Sequence, residues 1–364
     1  MSRPAETSTE PRKGQPSVQL SREQFEKRLR ERFYDPAFGG RDAELAQVIQ
    51  VAWEAYTEYR KSPIRRPAGA EFKNPAYELP VAWLEARAAI LEAERLQKDP
   101  DGPSRILVIN GAARNDQTCP GEMSKSFRLA RIAQEEIGLQ AGVECDFLDL
   151  SVLTAEYGRQ ILPCKACVST AMPLCHWPCS CYPNYAMGQV NDWMNDIYPR
   201  WVAAHGVMIL TPVYWYQAPS VLKLMIDRLV CADGGNPDPT TTDLKDPAKA
   251  KAIELAGWHY PRHLAGRRFA VVVHGDTVGA ETLRRSLSDW LQDMHLVPAH
   301  YSATMDRYIG YYEPYATSHF ALDADRAIQQ EVRDAARILV ESVRDYRAGK
   351  VPVEPVADDG PRPK

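Results

Sequence analysis

The chain lacks any long apolar run. Its purely apolar stretches, such as residues 269–273, are far too short to cross a bilayer, and residues 1–20 are polar and Pro-bearing rather than leader-like. A basic excess is also missing. The 44 Lys and Arg residues face 48 Asp and Glu, a net charge of −4 with a pI near 6.1, which argues against a general nucleic-acid binder because neutralising phosphates needs positive charge on at least one face. Neither the G-x-x-x-x-G-K-[ST] nucleotide loop nor the G-x-G-x-x-G dinucleotide fingerprint occurs, and there is no internal repeat. At 45% hydrophobic and 25% charged, the composition is that of an ordinary soluble globular protein. These absences lead to the expectation of a cytoplasmic protein with no membrane and no nucleic-acid partner.

What is present in excess is cysteine, and unevenly. Five of the 8 cysteines, Cys164, Cys167, Cys175, Cys179 and Cys181, crowd one short stretch, while Cys119, Cys145 and Cys231 are solitary. In a reducing compartment such a cluster reads as metal ligands or redox thiols rather than as structural disulfides.

Residues 1–20 and 349–364 are rich in Pro and charge without apolar periodicity and are expected to be disordered. Residues 21–103 form a helical extension. Phe25, Leu29 and Phe33 recur at four-residue spacing, Leu45, Val48, Ile49, Ala52, Trp53 and Tyr56 follow a helical period, and Pro80 opens a third helix. At Arg105 the pattern changes to a continuous apolar run, Ile106 to Ile109, as expected of a strand buried on both faces. Further strands are expected at 143–150, 207–211, 269–274 and 297–302, alternating with helices at 126–137, 190–202, 220–230 and 281–294. A last long helix is expected over 323–346. This rhythm implies right-handed crossovers and a doubly wound parallel five-stranded sheet of order 2-1-3-4-5 in an α/β sandwich. In such sheets chemistry sits beyond the carboxyl ends of the strands, where strand order reverses.

The loops at that end are unusual. The first runs from Asn110 through Ala112 and Arg114 to Ser124 and Ser126 at a helix start. It offers backbone N–H groups, a helix dipole and a guanidinium to a phosphate, although the same hydroxyls would also serve as a plain helix cap. The third-strand loop, Pro212-Val213-Tyr214-Trp215-Tyr216-Gln217-Ala218-Pro219, stiffens three adjacent aromatics between two prolines, which suits a planar ligand or an aromatic hinge. The fourth, His274-Gly275-Asp276, places glycine where a backbone approaches a ligand or simply turns.

Together these segments resemble the NADPH-dependent FMN reductase family of flavodoxin-like proteins. Its signature is a buried strand followed by Thr-Pro-Val-Tyr, a loop with Pro-Ser, and a helix bearing Leu-Lys and Ile-Asp-Arg, and residues 211–228 match it. The resemblance covers about 104–302, with 303–348 holding a Tyr-rich segment and the C-terminal helix. It implies a flavodoxin-like FMN-binding domain in which Ala112, Arg114, Ser124 and Ser126 attend the phosphate. Pro212, Val213, Tyr214 and Trp215 would then line the ring, with His274, Gly275 and Asp276 at its far edge. Ala112 stands where many members have serine, and the first loop is longer than theirs.

The implied activity is hydride transfer from NAD(P)H to FMN and onward to a quinone, flavin or protein acceptor, in a homo-oligomer. No protein acid, base or nucleophile is required. A flavodoxin-like electron carrier and a flavin-free, metal-stabilised interaction module are the rival readings. The cysteine stretch lies where the iron-sulfur flavoproteins of the same superfamily carry a cluster motif, and its spacing, C-x2-C-x7-C-x3-C-x-C, is looser than theirs. A 4Fe-4S cluster, zinc with His176 as a possible ligand, and metal-free redox thiols all remain open. His259 and His263, with Pro261 between them, do not read as a helical metal pair, and Tyr308, Tyr311, Tyr312 and Tyr315 read as an amphipathic interface patch.

Overall fold

The computed structural model describes residues 19–57, 65–118, 121–156, 158–182 and 192–350. Most of both termini expected to be disordered, Cys119, the first two residues of the helix expected at 190–202, and the Tyr315 side chain lie outside the described residues. No helix among those described is long and apolar enough to cross a membrane.

The extension opens with α1 (Arg22–Arg30) and α2 (Asp42–Thr57), continues through two short strands, β1 (Arg65–Pro67) and β2 (Glu78–Pro80), and ends in α3 (Val81–Lys98). Ser21 starts α1 with a reciprocal capping box to Gln24. Phe25, Leu29 and Ile49 form a small core between α1 and α2, with the Phe25 and Trp53 rings packed edge to face at 5.2 Å. The extension is therefore not all-helical. The antiparallel pair β1–β2 is three residues long and Pro-bearing, too short to leave a periodic signal in the sequence.

The sheet that follows is parallel throughout. Its strands are β3 (Ser104–Asn110), β4 (Val143–Asp149), β5 (Gly206–Pro212), β6 (Arg268–Gly275), β7 (Val297–Pro298) and β8 (Thr304–Tyr308). The order is β4-β3-β5-β6-β7, with β8 also paired to β6, in the registers Ile106↔Cys145, Ile106↔Gly206, Val207↔Phe269 and Val271↔Thr304. This is the order 2-1-3-4-5, with one correction. The fifth position is shared by two strands, because the chain leaves β6 after Pro298, makes a 3-10 turn at Tyr301–Ala303, and rejoins the sheet at Thr304. His300 caps that turn, its Nδ1 accepting from the Ser302 N–H at 3.3 Å.

The strands bury both faces in alternation. Ile106, Val108, Met208, Leu210, Ala270 and Val272 face one layer, made of α4 (Lys125–Gly138) and α10 (Arg326–Arg347). Leu107, Ile109, Val207, Ile209, Phe269, Val271 and Val273 face the other, made of α5 (Met194–Ala203), α6 (Ser220–Arg228) and α8 (Ala280–Asp293), with Ile90 and Ala93 of α3 joining it. Two further helices, α7 (Pro247–Leu255) and α9 (Ser318–Ala324), lie in what the sequence offers only as loops. The long C-terminal helix is as expected. Asp325 caps α10, and Ile328, Val332, Ala335, Ala336, Leu339, Val340 and Val343 keep one helical face buried. The result is a three-layer α/β sandwich whose open loops gather at the carboxyl ends of β3, β5 and β6.

Candidate functional site

The end of β3 is locked before it reaches the cleft. Asn110 Nδ2 donates to Asp149 Oδ1 at 2.7 Å, its Oδ1 accepts from the Ala112 N–H at 3.3 Å, and the Gly111 N–H donates to Leu210 O at 2.8 Å. A Cβ on Gly111 would lie 2.9 Å from Thr211 Oγ1, so only glycine allows β3 and β5 to release their loops side by side. Farther along, Asn115 Nδ2 donates to Ser151 O at 2.8 Å and anchors the loop to the turn after β4. Ser124 then caps α4, its Oγ accepting from the Phe127 N–H at 3.1 Å, which leaves the first amides of the helix exposed to an anion.

Lys125 and Ser126 follow within the first turn, and both are buried. Ser126 Oγ lies 2.6 Å from His274 Nε2 at the end of β6. Burial, and then the Lys125 charge, push the His274 imidazole down to about 3, so it is neutral at pH 7. His274 Nδ1 is buried without a hydrogen-bond partner among the described residues. The Val213 N–H donates to His274 O at 2.9 Å, and a Cβ on Gly275 would stand 2.5 Å from Val213 Cγ1, so glycine is needed for this approach. Tyr214 and Gln217 exchange two backbone hydrogen bonds of 2.9 Å around Trp215 and Tyr216, whose φ values are +46° and +66°. Such a turn normally takes Asn-Gly, so two aromatic residues there hold backbone strain.

These segments enclose one cavity. It is lined by Ala112, Arg114, Ser124, Lys125, Ser126, Pro212, Val213, Tyr214, His274, Gly275 and Asp276. Its volume is about 120 Å³, roughly four water molecules' share of the liquid. Ten of the eleven residues singled out from the sequence meet there. Trp215 does not line it and is 93% exposed on the outside of the strained turn. Lys125 was not singled out, although a lysine between two serines at a helix start is itself a phosphate-binding signal. A guanidinium, an ammonium, two hydroxyls and a helix start fit a phosphate, and the unpaired His274 nitrogen in the wall fits a polar ligand, so the residues present are compatible with FMN.

The cysteine stretch lies apart from the cavity, beside the carboxyl end of α6. Cys167 Sγ and Cys181 Sγ are 2.8 Å apart, Cys179 is hydrogen-bonded to Cys181, and Cys164 lies within electrostatic reach of Cys167 and Cys179. Hydrogen bonding with Cys167 and Cys179 holds the Cys181 thiol well above the usual range and holds its two neighbours below it. Two cations face the group. Lys245 Nζ is 3.6 Å from Cys167 Sγ and donates to Leu174 O at 2.7 Å, while buried Arg228, paired with Asp192 at 2.6 Å, acts on Cys179. Trp83 of α3 covers the loop by donating to Pro178 O at 2.9 Å.

Cys175 is placed differently from the other four, because it is buried and hydrogen-bonded to Cys231. Both ring nitrogens of His176 are engaged, Nδ1 by Ser180 Oγ and Nε2 by Thr242 Oγ1 at 3.0 Å, so neither is available to zinc. Among the described residues no group of three or more His, Cys, Asp or Glu side chains is arranged to hold a metal ion as it stands. A tetrahedral zinc with Zn–S bonds of about 2.3 Å sets its sulfurs about 3.8 Å apart, so Cys167 and Cys181 would have to part by about 1 Å. The donor chemistry, four thiols beside two cations, nonetheless fits a soft metal centre.

The family model for NADPH-dependent FMN reductase matches residues 104–306, and the chain belongs to that family. The chain is also 27% identical over 126 residues to the "Iron-sulfur flavoprotein" of Methanosarcina thermophila, a match covering 35% of this chain and 52% of that protein. The chain thus spans about half the length of the curated relative it matches. Among solved structures it is similar to RosB with a bound 8-demethyl-8-formylriboflavin-5′-phosphate intermediate, at 13% identity and a TM-score of 0.46, covering 68% of this chain and 82% of that one. It is also similar to an FMN-dependent NADH-azoreductase from Bacillus anthracis in complex with FMN, at 17% identity and a TM-score of 0.36, covering 65% and 99% of the two chains. Superpositions this loose add nothing to the strand order, which defines the flavodoxin-like fold by itself.

Proposed function

We propose that this protein is an FMN-dependent NAD(P)H oxidoreductase. FMN, when bound, supplies the hydride acceptor and donor chemistry between a nicotinamide and an acceptor such as a quinone, a flavin or a protein. The observation that carries this reading is the cavity at the carboxyl ends of β3, β5 and β6, where a family-matched loop set brings Arg114, Lys125, Ser124 and Ser126 around a helix start. In it the α4 amides, the serine hydroxyls and the two cations hold the phosphate. Pro212, Val213 and Tyr214 form a pre-set wall, and neutral His274 fixes Ser126. Asp276, at the exposed lip, stands where the ring's far edge would lie. No side chain is assigned a catalytic proton transfer.

The thiols of Cys164, Cys167, Cys179 and Cys181 are the ligand set we assign to an iron-sulfur centre, with zinc as the alternative occupant, and Lys245 and Arg228 would balance its negative charge. A centre of this kind allows one-electron exchange. Free thiols suit a reducing, cytoplasmic compartment, and the family resemblance implies a homo-oligomer.

Anaerobic purification followed by absorption spectroscopy tests the reading. A two-banded flavin spectrum bleached by NADPH or NADH is the expected result. Bleaching by dithionite alone would favour an electron carrier, and a colourless protein would contradict both.

A further inference from the structure

Residues 65–98 lie outside the stretch that the family match covers, yet with the cysteine stretch they wall a second cavity of about 260 Å³. That is roughly nine water molecules' share of the liquid. It shares no lining residue with the flavin cavity. Its interior is apolar and aromatic. Tyr77 enters from the residue before β2, Leu79 from β2, Trp83 from the first turn of α3 and Leu244 from the loop before α7. Leu79, Trp83 and Ser180 are buried and form the floor.

The walls are held in place from the body of the sheet domain. The Lys73 N–H donates to Asp238 Oδ2 at 2.7 Å and the Asn74 N–H to Thr240 Oγ1 at 3.1 Å, which fixes the turn between β1 and β2. Leu244 reaches the wall at φ +66°, directly after Asp243 at φ +42°, and its N–H donates to Pro239 O at 2.9 Å. Two consecutive left-handed residues other than glycine hold backbone strain, which persists only where the surroundings over-determine the geometry.

Two opposite charges line the same cavity. Arg65 of β1 and Glu78 of β2 are exposed, and among the described residues neither makes an ion pair or a side-chain hydrogen bond. The register pairs Arg65 with Pro80 and Pro67 with Glu78, so the two charged residues are diagonal neighbours, about 7–8 Å apart along the backbone pair. That spacing admits the ammonium and the carboxylate of one small molecule between them. An occupant that matches both charges and fills the interior needs those two groups and an apolar ring. The guanidinium takes a carboxylate by charge-assisted hydrogen bonds, and Tyr77 and Trp83 offer ring faces and edges.

We infer that this cavity binds a free α-amino acid with an aromatic side chain, its carboxylate at Arg65, its ammonium at Glu78 and its ring against Tyr77 and Trp83. Ser180 lies between Cys179 and Cys181, and Trp83 Nε1 donates to Pro178 O at 2.9 Å, so the occupant rests on the cysteine stretch and steadies it. The inference goes beyond the FMN reading and does not depend on it.

The test is isothermal titration calorimetry of the full-length protein with L-phenylalanine, set against 3-phenylpropionate, which lacks the ammonium, phenethylamine, which lacks the carboxylate, and L-alanine, which lacks the ring. Each analogue should bind about tenfold more weakly than L-phenylalanine. Arg65→Gln should weaken L-phenylalanine about tenfold and change phenethylamine by less than about twofold, and Glu78→Gln should weaken L-phenylalanine equally and spare 3-phenylpropionate. Both side chains are exposed, so both variants should keep the wild-type circular dichroism. Bound L-phenylalanine should slow hydrogen exchange over residues 176–182, and saturating FMN should not displace it. No binding of L-phenylalanine at millimolar concentration would overturn the inference, as would analogues that bind as tightly, equal loss of every ligand in either variant, unchanged exchange over 176–182, or displacement by FMN.

Discussion

Ser126 Oγ sits 2.6 Å from His274 Nε2, and this one contact joins the first turn of α4 to the last residues of β6 across the floor of the cavity. Both groups are buried, and the imidazole is neutral, so the bond ties the serine side chain to the end of β6. Ser126→Ala would leave His274 with neither nitrogen paired. The expected cost is about 1–3 kcal/mol, read as a lower urea midpoint at unchanged slope. An unchanged midpoint would show that the pair adds nothing to the fold.

Three buried histidines make stability pH-dependent. His274 is pushed down to about 3, and His205 and His263 to about 4, in each case chiefly by burial. His205 Nδ1 accepts from the Arg105 N–H at 2.9 Å, a bond that requires the neutral ring. The unfolded chain titrates these groups near 6.5, so below that pH it binds protons that the folded chain refuses. Stability should therefore be fully present above about pH 6.5 and fall as pH drops toward 4, by up to about 1.4 kcal/mol per pH unit for each histidine. Urea unfolding at pH 7.5 and pH 5 measures the slope. His205→Gln should flatten it, and an equal slope in that variant would assign it to other groups.

The turn at Trp215 and Tyr216 stores strain that the fold does not need. Both residues have positive φ, and both side chains are largely exposed. Replacing the pair by Asn-Gly should raise stability by about 1 kcal/mol, since it relieves two left-handed non-glycine residues and uncovers little apolar surface. Gly279 adds a reason to watch the result, because a Cβ there would lie 2.9 Å from Tyr216 Cα and the α8 start leans on this turn. A lower melting temperature in the double variant would mean that the rings are held by contacts rather than by the turn.

Much of this arrangement is legible in the sequence. Continuous apolar runs such as Ile106 to Ile109 announce strands buried on both faces, and the Thr-Pro-Val-Tyr loop announces the site. Periodicity, however, reports which face of an element is apolar, not where a loop side chain turns. The resemblance carries Trp215 to the ring by position, and only the structure shows the positive-φ turn holding it 93% exposed, off the cavity lining; periodicity passes over Lys125 because a charged residue carries no burial signal. The fifth strand was expected at 297–302, yet most of its pairing is made by Thr304–Tyr308. The 3-10 turn at Tyr301–Ala303 that separates the two, capped by His300, is a local event with no period.

The cysteines divide by partner, and substitution should separate them. Cys181→Ser removes the thiol that touches both Cys167 and Cys179, and should abolish bound iron or zinc, measured by elemental analysis after anaerobic purification. Cys175→Ser should leave metal content unchanged and lower stability by about 1 kcal/mol, because it alters only the buried pair with Cys231. Loss of metal in Cys175→Ser would return that residue to the ligand set.

The most direct test of the flavin site is the FMN content of protein purified without oxygen, for the wild type and for a variant in which Pro212, Val213 and Tyr214 are all replaced by glycine. Those residues form a stiff wall of the cavity and Val213 closes on Gly275, while the strand core behind them is untouched. The wild type should carry close to one FMN per chain, and the variant should lose it while keeping its far-ultraviolet circular dichroism. Flavin retained at full occupancy in the variant would contradict the placement of the site between the ends of β3, β5 and β6.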